Sequence, residues 1–247
     1  MIKFFSLLIV VVVVSCSAPS PSAQQIVDDA IQMSGTEVLN NASASFSFRG
    51  ITYEYSSKDG KYTYTRSLQD SLQNEVKDVL KNDGLIRYIN NEEAIITEEK
   101  RTTYTASVNS VIYFAFLPVS LNDVAVNKTL EGTVEIKGNS YYKIKVTFDS
   151  EGGGEDFEDV FYYWFDTKDY SMDYLAYSYN EVDGKGMRFR VAYNSRKVNG
   201  VTIQDYKNLK PKVKESISLV GIDQAYTNGE LVELSLIELE DVVISIE

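Results

Sequence analysis

The chain has 247 residues, a formal net charge of −12 at pH 7 and no histidine. The acidic balance argues against nucleic acid as a partner, because that binding depends on neutralising phosphates with Lys and Arg. The absence of histidine removes Ser-His-Asp and Cys-His nucleophile systems and nearly all zinc and copper chemistry. Carboxylate acid–base catalysis, lysine Schiff-base chemistry and oxygen-ligated calcium or magnesium remain possible.

The N-terminus has the features of a lipoprotein export signal. Lys3 gives a short positive region, and residues 4–14 are almost entirely apolar. This run is too short to cross a bilayer as a helix, which takes roughly 20 residues. It ends in the sequence VVSC at residues 13–16, which is similar to the lipobox cut by bacterial lipoprotein signal peptidase. We therefore predict a signal peptide over residues 1–15 and a lipid on Cys16. An ordinary secretory signal with an incidental cysteine is the alternative.

Residues 16–23 are small, polar and rich in proline, which is typical of a flexible tether. No run of acidic residues follows Cys16; in lipoproteins of the Bacteroidetes type, which this N-terminus resembles, such a run would indicate transfer to the cell surface. We therefore expect a palmitate-type anchor in the outer membrane, on its periplasmic face. Residues 24–247 are predicted to form one β domain, a size that single sandwiches and barrels often reach.

The first half of this domain begins with a predicted helix and continues as a strand meander. Residues 25–33 have apolar side chains at helical spacing and stop at Ser34-Gly35. From there to residue 97 the apolar period is two, which predicts strands. We expect a bulge or bend at Gly50 and a hairpin turn at Asp59-Gly60.

A second helix and further strands follow. Residues 98–117 return to helical spacing and end at Pro118, so we predict a helix that covers one face of the sheet. In residues 142–148 one face is apolar, and Lys143 and Lys145 on the other are predicted to face water.

The remaining strands differ in how many of their faces are apolar. Residues 160–165 and 172–179 carry apolar or aromatic side chains on both faces, which predicts a hairpin covered on both sides. Residues 187–193 alternate apolar side chains with Arg188 and Arg190, and Asn199-Gly200 predicts a turn.

Ten or more short strands at hairpin spacing with two inserted helices predict a mainly β fold of the α+β class. A βαβ arrangement is disfavoured, because strands and helices do not alternate along the chain. We predict a strongly curved antiparallel sheet, an unclosed half-barrel lidded by the helices.

Several segments resemble a family of uncharacterised flavobacterial lipoproteins, over nearly all of the mature chain. They are residues 109–114, 117–118, 121–123, 146–148, 151–157, 174–177 and 186–190. More distantly, the order of elements resembles the lipoprotein carriers LolA and LolB. That resemblance implies an unclosed barrel whose apolar inside is lidded by helices and holds acyl chains. It also implies a role in cargo release for an arginine on an early strand, for which Arg49 and Arg66 are both candidates.

The 18 tyrosines and 11 phenylalanines could line an acyl cavity, with hydroxyl groups at its mouth. Aromatic residues also favour strands and fill cores, and this explains most of them. The candidate ligand-binding residues, with the two arginines, are Phe46, Phe48, Arg49, Tyr62, Tyr64, Arg66, Tyr163, Tyr174 and Phe189.

A glycine-rich acidic segment, residues 151–159, is a candidate calcium site. Carboxylate oxygens are the ligands that calcium prefers. The spacing does not match an EF-hand loop, and a turn whose charges face water is the alternative. The candidate metal ligands are Glu151, Glu155, Asp156, Glu158 and Asp159.

No motif for catalysis is present, and we expect neither an enzyme nor a cofactor. A Schiff-base aldolase would need a lysine at a strand end of a βα barrel, and that alternation is absent. Paired acids for glycoside cleavage stay open, because a sequence does not show their separation in space.

The sequence thus predicts an anchored lipoprotein that binds an acyl chain or lipid non-covalently in its half-barrel. The alternative is a structural or protein-interaction lipoprotein with a solid core. The first function requires that the concave side stays partly empty beneath its helical cover.

We predict that Cys16→Ala abolishes acylation, because no other thiol exists to carry the lipid. Metabolic labelling with a tritiated fatty acid and separation of membrane from soluble protein would measure this. Ser17→Ala is the matched control and should leave both unchanged. Label retained on the Cys16→Ala chain would contradict the prediction.

Overall fold

The computed structural model describes residues 20–151, 159–181, 184–214 and 216–246, so Cys16 and residues 1–15 lie outside the described residues. Its strands form two unclosed antiparallel sheets of seven strands each. The mainly β fold with a few helices that the sequence predicts is confirmed.

The N-terminal sheet is a meander to which the last strand of the chain adds as an edge strand. Its strands are β1 (Ala42–Phe48), β2 (Ile51–Lys58), β3 (Lys61–Gln69), β4 (Glu75–Lys81), β5 (Gly84–Ile89), β6 (Glu92–Glu93) and β14 (Glu240–Ile246). Their spatial order is β14-β1-β2-β3-β4-β5-β6. The hairpin turn predicted at Asp59-Gly60 is confirmed, with positive φ angles of 51° and 75° at the two residues.

The C-terminal sheet follows the chain without a crossover. Its strands are β7 (Val126–Ile136), β8 (Asn139–Phe148), β9 (Phe161–Asp166), β10 (Met172–Glu181), β11 (Gly184–Val198), β12 (Val201–Pro211) and β13 (Leu231–Ile237). They pair in the order β13-β12-β11-β10-β9-β8-β7. The predicted turn at Asn199-Gly200 joins β11 to β12.

The chain passes from one sheet to the other between β13 and β14, and a buried ion pair fixes this corner. The Oδ1 atom of Asp205, on β12, accepts a hydrogen bond of 3.0 Å from the backbone N–H of Leu239 and lies 3.1 Å from a guanidinium nitrogen of Arg196. Leu239 packs in one apolar cluster with Val201 and Ile244, from the two sheets. The sheets therefore share a core at this corner.

Two helices cover one face of the sheets, here called the inner face. Helix α1 (Ala23–Ser34) starts with a capping box at Ser22 and ends at Gly35, as the sequence predicts. Helix α2 (Glu98–Ala115) also lies where the sequence predicts it. The 3₁₀ segments Thr36–Asn41 and Val119–Asn122 complete this cover.

A third helix, α3 (Ile222–Thr227), covers the opposite face of the C-terminal sheet, the outer face. This short helix was not predicted, and it explains one wrong prediction. Lys143 does not face water: it is 5% exposed and its Nζ lies 2.8 Å from Asp223 of α3. The predicted burial of both faces in the central hairpin is confirmed, since Phe161 to Phe165 are all buried.

Gly50 does not form the bulge that the change of parity suggested. It is the second residue of the two-residue turn between β1 and β2, with Arg49 at φ 53° and Gly50 at φ 72°. A hairpin turn between two strands resets the alternation of faces, and this gives the same change of parity as a bulge.

Gly35 provides a matched test of close packing. It has φ +72°, and a Cβ there would lie 2.5 Å from the carbonyl oxygen of Gly200; Gly60 has φ +75°, and a Cβ there would have nothing within 4 Å. We expect Gly60→Ala to lower the free energy of unfolding by about 1 kcal/mol, the left-handed penalty alone. Gly35→Ala should lower it by about 3 kcal/mol, because backbone must also move. Equal losses of unfolding free energy in urea for the two variants would show that the backbone near Gly35 moves away from a Cβ at no cost.

Candidate ligand-binding site

One row of side chains crosses the whole inner face of the C-terminal sheet. Cross-strand pairing places its seven members side by side from β7 to β13. In order they are Leu130, Ile144, Tyr163, Leu175, Arg190, Asn208 and Ser235. The row is therefore apolar at the β7 end and polar at the β13 end.

Three rings at the C-terminal end of α2, those of Tyr113, Phe114 and Phe116, pack onto the inner face of the two sheets. Phe116 meets Phe46 with ring centroids 5.8 Å apart. Phe114 lies 5.3 Å from the ring of Tyr177. Phe46 is only 1% exposed, so water reaches almost none of its surface. The space predicted to be empty above this residue is filled by the protein's own rings, so that expectation is wrong for the closed structure, and a ligand could enter here only if α2 moves away.

Tyr113 of α2 connects to the polar part of the row. Its hydroxyl lies 2.7 Å from that of Tyr163, which is 0% exposed. Burial raises the pKa of Tyr113 and raises that of Tyr163 well above the usual value. Both hydroxyls therefore stay protonated at neutral pH, and the pair is a neutral hydrogen bond between the helix and the sheet.

Arg190 is a buried cation in this apolar surrounding. It is 8% exposed, and its only hydrogen bond among the described residues runs from Nη2 to the hydroxyl of Tyr177, at 3.1 Å. The ring of Phe114 lies over the guanidinium, 3.9 Å from its carbon to the ring centroid. Its Nε atom has no hydrogen-bond partner.

Asn208, the cross-strand neighbour of Arg190, is also incompletely bonded. It is 8% exposed; its Nδ2 lies 3.3 Å from the hydroxyl of Ser235, and its Oδ1 has no partner. A serine hydroxyl both donates and accepts, so either orientation of the amide makes this bond and leaves its other end free. Arg190 Nε and Asn208 Oδ1 are the unbonded buried side-chain atoms that the described part of the chain contains.

A second polar group lies under the N-terminal half of α2. Asp78 is 0% exposed and accepts hydrogen bonds from Arg66, at 3.0 Å from Nε, and from Arg87, at 2.6 Å from Nε. Arg66 also donates to the hydroxyl of Ser107, and the Arg87 guanidinium lies 3.3 Å from the ring centroid of Tyr104. These contacts, here called the polar latch, attach α2 to β3, β4 and β5.

The two candidate arginines therefore have different environments. Arg66 contacts the covering helix through the polar latch, whereas Arg49 is exposed in the β1–β2 turn with its guanidinium 5.0 Å from the ring of Phe48. Of these two, Arg66 is the one placed where it can influence the helix.

The predicted aromatic residues fall into separate clusters. Phe46, Phe48 and Tyr64 pack in the inner cluster of the sheet corner, and Tyr62 stacks on Tyr64 with centroids 4.5 Å apart. Tyr163 belongs to the inner cluster under α1. Tyr174 and Phe189 lie on the outer face, with α3. Seven of the nine predicted residues thus lie on the inner side of the sheets or at its edge. Tyr174 and Phe189 lie on the opposite, outer face.

Only part of the acidic segment falls within the described residues. Glu155, Asp156 and Glu158 lie outside the described residues, while Glu151 and Asp159 are within them. Within the described ranges, no three Asp, Glu or Cys side chains are grouped so that they could hold a metal ion. In the same ranges no helix combines the length and apolarity needed to cross a membrane.

A surface depression of about 370 Å³ marks the seam between the covering segments. It lies where α1 meets both 3₁₀ segments, and its lining includes Asp28 and Asn122. The Asn122 amide donates a hydrogen bond of 2.7 Å to Asp28, and Gln24 donates to both, at 2.8 Å each. The seam is thus held by exposed hydrogen bonds, for which water can substitute.

The model of a family of unknown function, DUF6503, matches residues 2–239. The chain belongs to this family. No curated protein sequence matches the DUF6503 chain.

In structure, the DUF6503 chain is similar to a LolA superfamily protein from Nitrosomonas europaea. The TM-score is 0.53 at 11% identity, over 92% of this chain and 94% of that one. A DUF1329 family protein from Desulfovibrio piger aligns over 91% of this chain and 93% of its own, with 12% identity and a TM-score of 0.42. The first similarity shows that the DUF6503 chain has a LolA-like fold, as the order of elements implied.

Sequence reasoning missed Arg190 and Asn208 as site residues. In an alternating strand, a charged residue between apolar ones normally indicates the solvent side, so the alternation of residues 187–193 gave no reason to place Arg190 in a core. One signal was available: the neighbouring strand, residues 172–179, is apolar on both faces, so a strand paired with it is covered on both faces too. Nothing in residues around Asn208 indicated a buried amide.

The polar latch predicts a large loss of stability for Asp78→Asn in the DUF6503 chain. Removing the charge leaves two arginines, 11% and 13% exposed, without a counter-ion. Breaking a buried pair in this way costs about 3–5 kcal/mol. Thermal and urea unfolding would measure it.

Glu98→Gln is the matched control, because Glu98 pairs with Arg101 but is 85% exposed. Such surface pairs contribute about 0–1 kcal/mol. Similar small losses in both variants would show that the latch is not a stabilising contact.

Proposed function

We propose that the protein is a lipoprotein that binds the acyl chain of a lipid on the inner face, beneath α2. The observation that carries this proposal is that α2 buries few of its residues. Of its 18 residues only Val108 and Ile112 are fully buried, whereas α1 buries four of its 12. A long helix with so small a buried face can be displaced while the sheets beneath it stay folded.

The contacts of α2 are of a kind that an acyl chain and water can replace. Its C-terminal half is attached by three rings, and burial of each contributes about 1.5–3 kcal/mol. At about 0.8 kcal/mol per buried CH₂, roughly ten methylenes of a ligand offset the loss of all three. Its N-terminal half is attached by the polar latch, whose donors can bond to water instead.

The anchor and the binding site form one functional unit in this proposal. Cys16 holds the protein to the periplasmic face of the outer membrane, in a flavobacterial cell envelope, and the predicted tether, which ends where Ser22 caps α1, lets the domain reach lipid near its anchor. The LolA-like fold supports an acyl ligand, since the carriers that the order of elements resembles hold acyl chains. The mechanism is binding and release, without a covalent step.

A structural or protein-interaction lipoprotein is the second candidate, and one observation favours it. The inner face is filled at Phe46 and Tyr163, which are 1% and 0% exposed. If α2 never leaves this face, the core is permanently solid and the protein acts through its surface.

Binding of a neutral fluorescent acyl probe separates the two candidates. The protein is the mature chain, residues 16–247 with Cys16→Ser, exported behind a cleavable signal, and the probe is the methyl ester of cis-parinaric acid. We expect saturable binding of about one probe per chain and lipid in the organic extract of protein taken from cells. No saturable binding and no extracted lipid would favour the solid-core candidate.

Phe114→Ala should bind the ester about tenfold more tightly, because one of the displaced rings is already absent; this corresponds to about 1.4 kcal/mol. Tyr226→Ala is the control, since Tyr226 packs on Phe189 at the outer face, with ring centroids 4.9 Å apart. It should leave the affinity unchanged. Equal effects of the two substitutions would place the probe away from the inner face.

A further inference from the structure

We infer that the lipid bound on the inner face carries an anionic head group, which Arg190 and Asn208 hold within the sheet. The inference rests on the proposed function, because it assigns the head group of the same ligand. It concerns the β13 end of the row that crosses the C-terminal sheet.

Arg190 has no carboxylate partner among the described residues, unlike four other shielded cations of the chain. An arginine stays charged at every pH that a protein survives, and buried charges are normally paired. The paired cases on the same chain are Arg66 and Arg87 with Asp78, Lys143 with Asp223, and Arg196 with Asp205. Each of these four cations thus has a carboxylate within the described residues. At Arg190 the described residues supply no such anion, which leaves room for one from a ligand.

The unbonded atoms around Arg190 fit one oxyanion. The guanidinium offers a fork of N–H groups suited to a carboxylate or phosphate, and its Nε has no partner. Asn208, opposite on β12, can turn its free amide end to present an N–H₂ group to the same ligand. Two adjacent side chains can therefore donate to one anionic group.

Phe114 covers the guanidinium of Arg190 in the closed structure. Its ring centroid lies 3.9 Å from the guanidinium carbon, where a cation–π contact partly compensates the missing anion. A charge-assisted hydrogen bond to the N–H groups is stronger than this contact. An anionic head group that reaches Arg190 would therefore favour the state in which the end of α2 has moved away, more than a neutral head group would.

The row also gives the direction of the bound chain. From Arg190 on β11 the row passes Leu175 on β10, Tyr163 on β9 and Ile144 on β8, and it ends at Leu130 on β7. These four side chains are apolar apart from the tyrosine hydroxyl. Four strand spacings separate β11 from β7, about 19 Å, which is comparable to a long acyl chain. In the other direction Ser235 on the edge strand β13 is half-buried, so the head group lies near solvent.

The test compares cis-parinaric acid with its methyl ester on the mature chain, residues 16–247 with Cys16→Ser. We expect the acid to bind at least tenfold more tightly than the ester. Arg190→Met should abolish this difference and retain ester binding, and Lys207→Gln, which removes an exposed charge next to Asn208 in the sequence, should retain the difference. Equal binding of acid and ester by the unsubstituted chain, or a preference that survives Arg190→Met, overturns the inference. Failure of the unsubstituted chain to bind either the acid or the ester would instead reject the proposed function.

A second variant acts in the opposite direction. Asn208→Asp supplies an internal carboxylate beside Arg190, so we expect a higher melting temperature and weaker binding of the acid than of the ester. Unchanged preference for the acid in Asn208→Asp would overturn the inference. Arg190→Met should melt no lower than the unsubstituted chain, since it removes an unpaired buried charge.

Competition identifies the oxyanion. Dodecanoate and dodecyl phosphate should both displace bound cis-parinaric acid more strongly than dodecanol, and their order shows whether carboxylate or phosphate is preferred. Stronger competition by dodecanol than by both anions would overturn the inference.

Discussion

The apolar inner face of two unclosed sheets must be covered, and α2 is the element that covers both. Val108 packs against Leu80 and Leu85 of the N-terminal sheet, and Phe116 lies in the cluster at the sheet corner. Tyr113 and Phe114 pack against the inner cluster of the C-terminal sheet. One helix thus contacts three apolar clusters through a few residues each. Because no cluster depends on α2 for most of its own packing, the sheets can stay folded when the helix moves.

Charge is distributed differently under the two halves of α2. Under its N-terminal half, the single carboxylate of Asp78 faces two arginines, and the remaining donor capacity goes to Ser107. Under its C-terminal half, Arg190 meets only a tyrosine hydroxyl and the ring of Phe114. In the first arrangement both arginines have a carboxylate partner, which they share, and these contacts stabilise the closed protein. The second is incomplete, and incomplete polar groups in a core are retained where a ligand completes them.

The sequence allowed correct prediction of the parts of the fold that are set by local chemistry. The helical spacing before Gly35 and the turn at Asn199-Gly200 depend only on neighbouring residues. The short helix α3 was missed because six residues give too little periodicity, and its absence from the prediction made Lys143 appear solvent-facing. The site was predicted less well. Tyr163 was a candidate because aromatic residues suit a lidded interior, and Arg66 because of the resemblance to the LolA carriers. The burial of Arg190 depends on which face α2 covers, a tertiary fact that only the apolar neighbouring strand, residues 172–179, indicated.

In the closed structure, the apolar side chains of the inner face have their contacts, whereas its buried cation, Arg190, lacks an anion. Rings from α2 replace the apolar contacts that an acyl chain would make, so a neutral chain gains less free energy by entering than an anionic one. They do not replace an anion, because a ring face offers Arg190 only a weak negative potential. The gain in free energy on exchanging helix for ligand is therefore concentrated at the head group. If the protein binds lipid as proposed, such a site would favour anionic lipids over neutral ones even when both have the same chain, and it would close over its own rings once the anion has left.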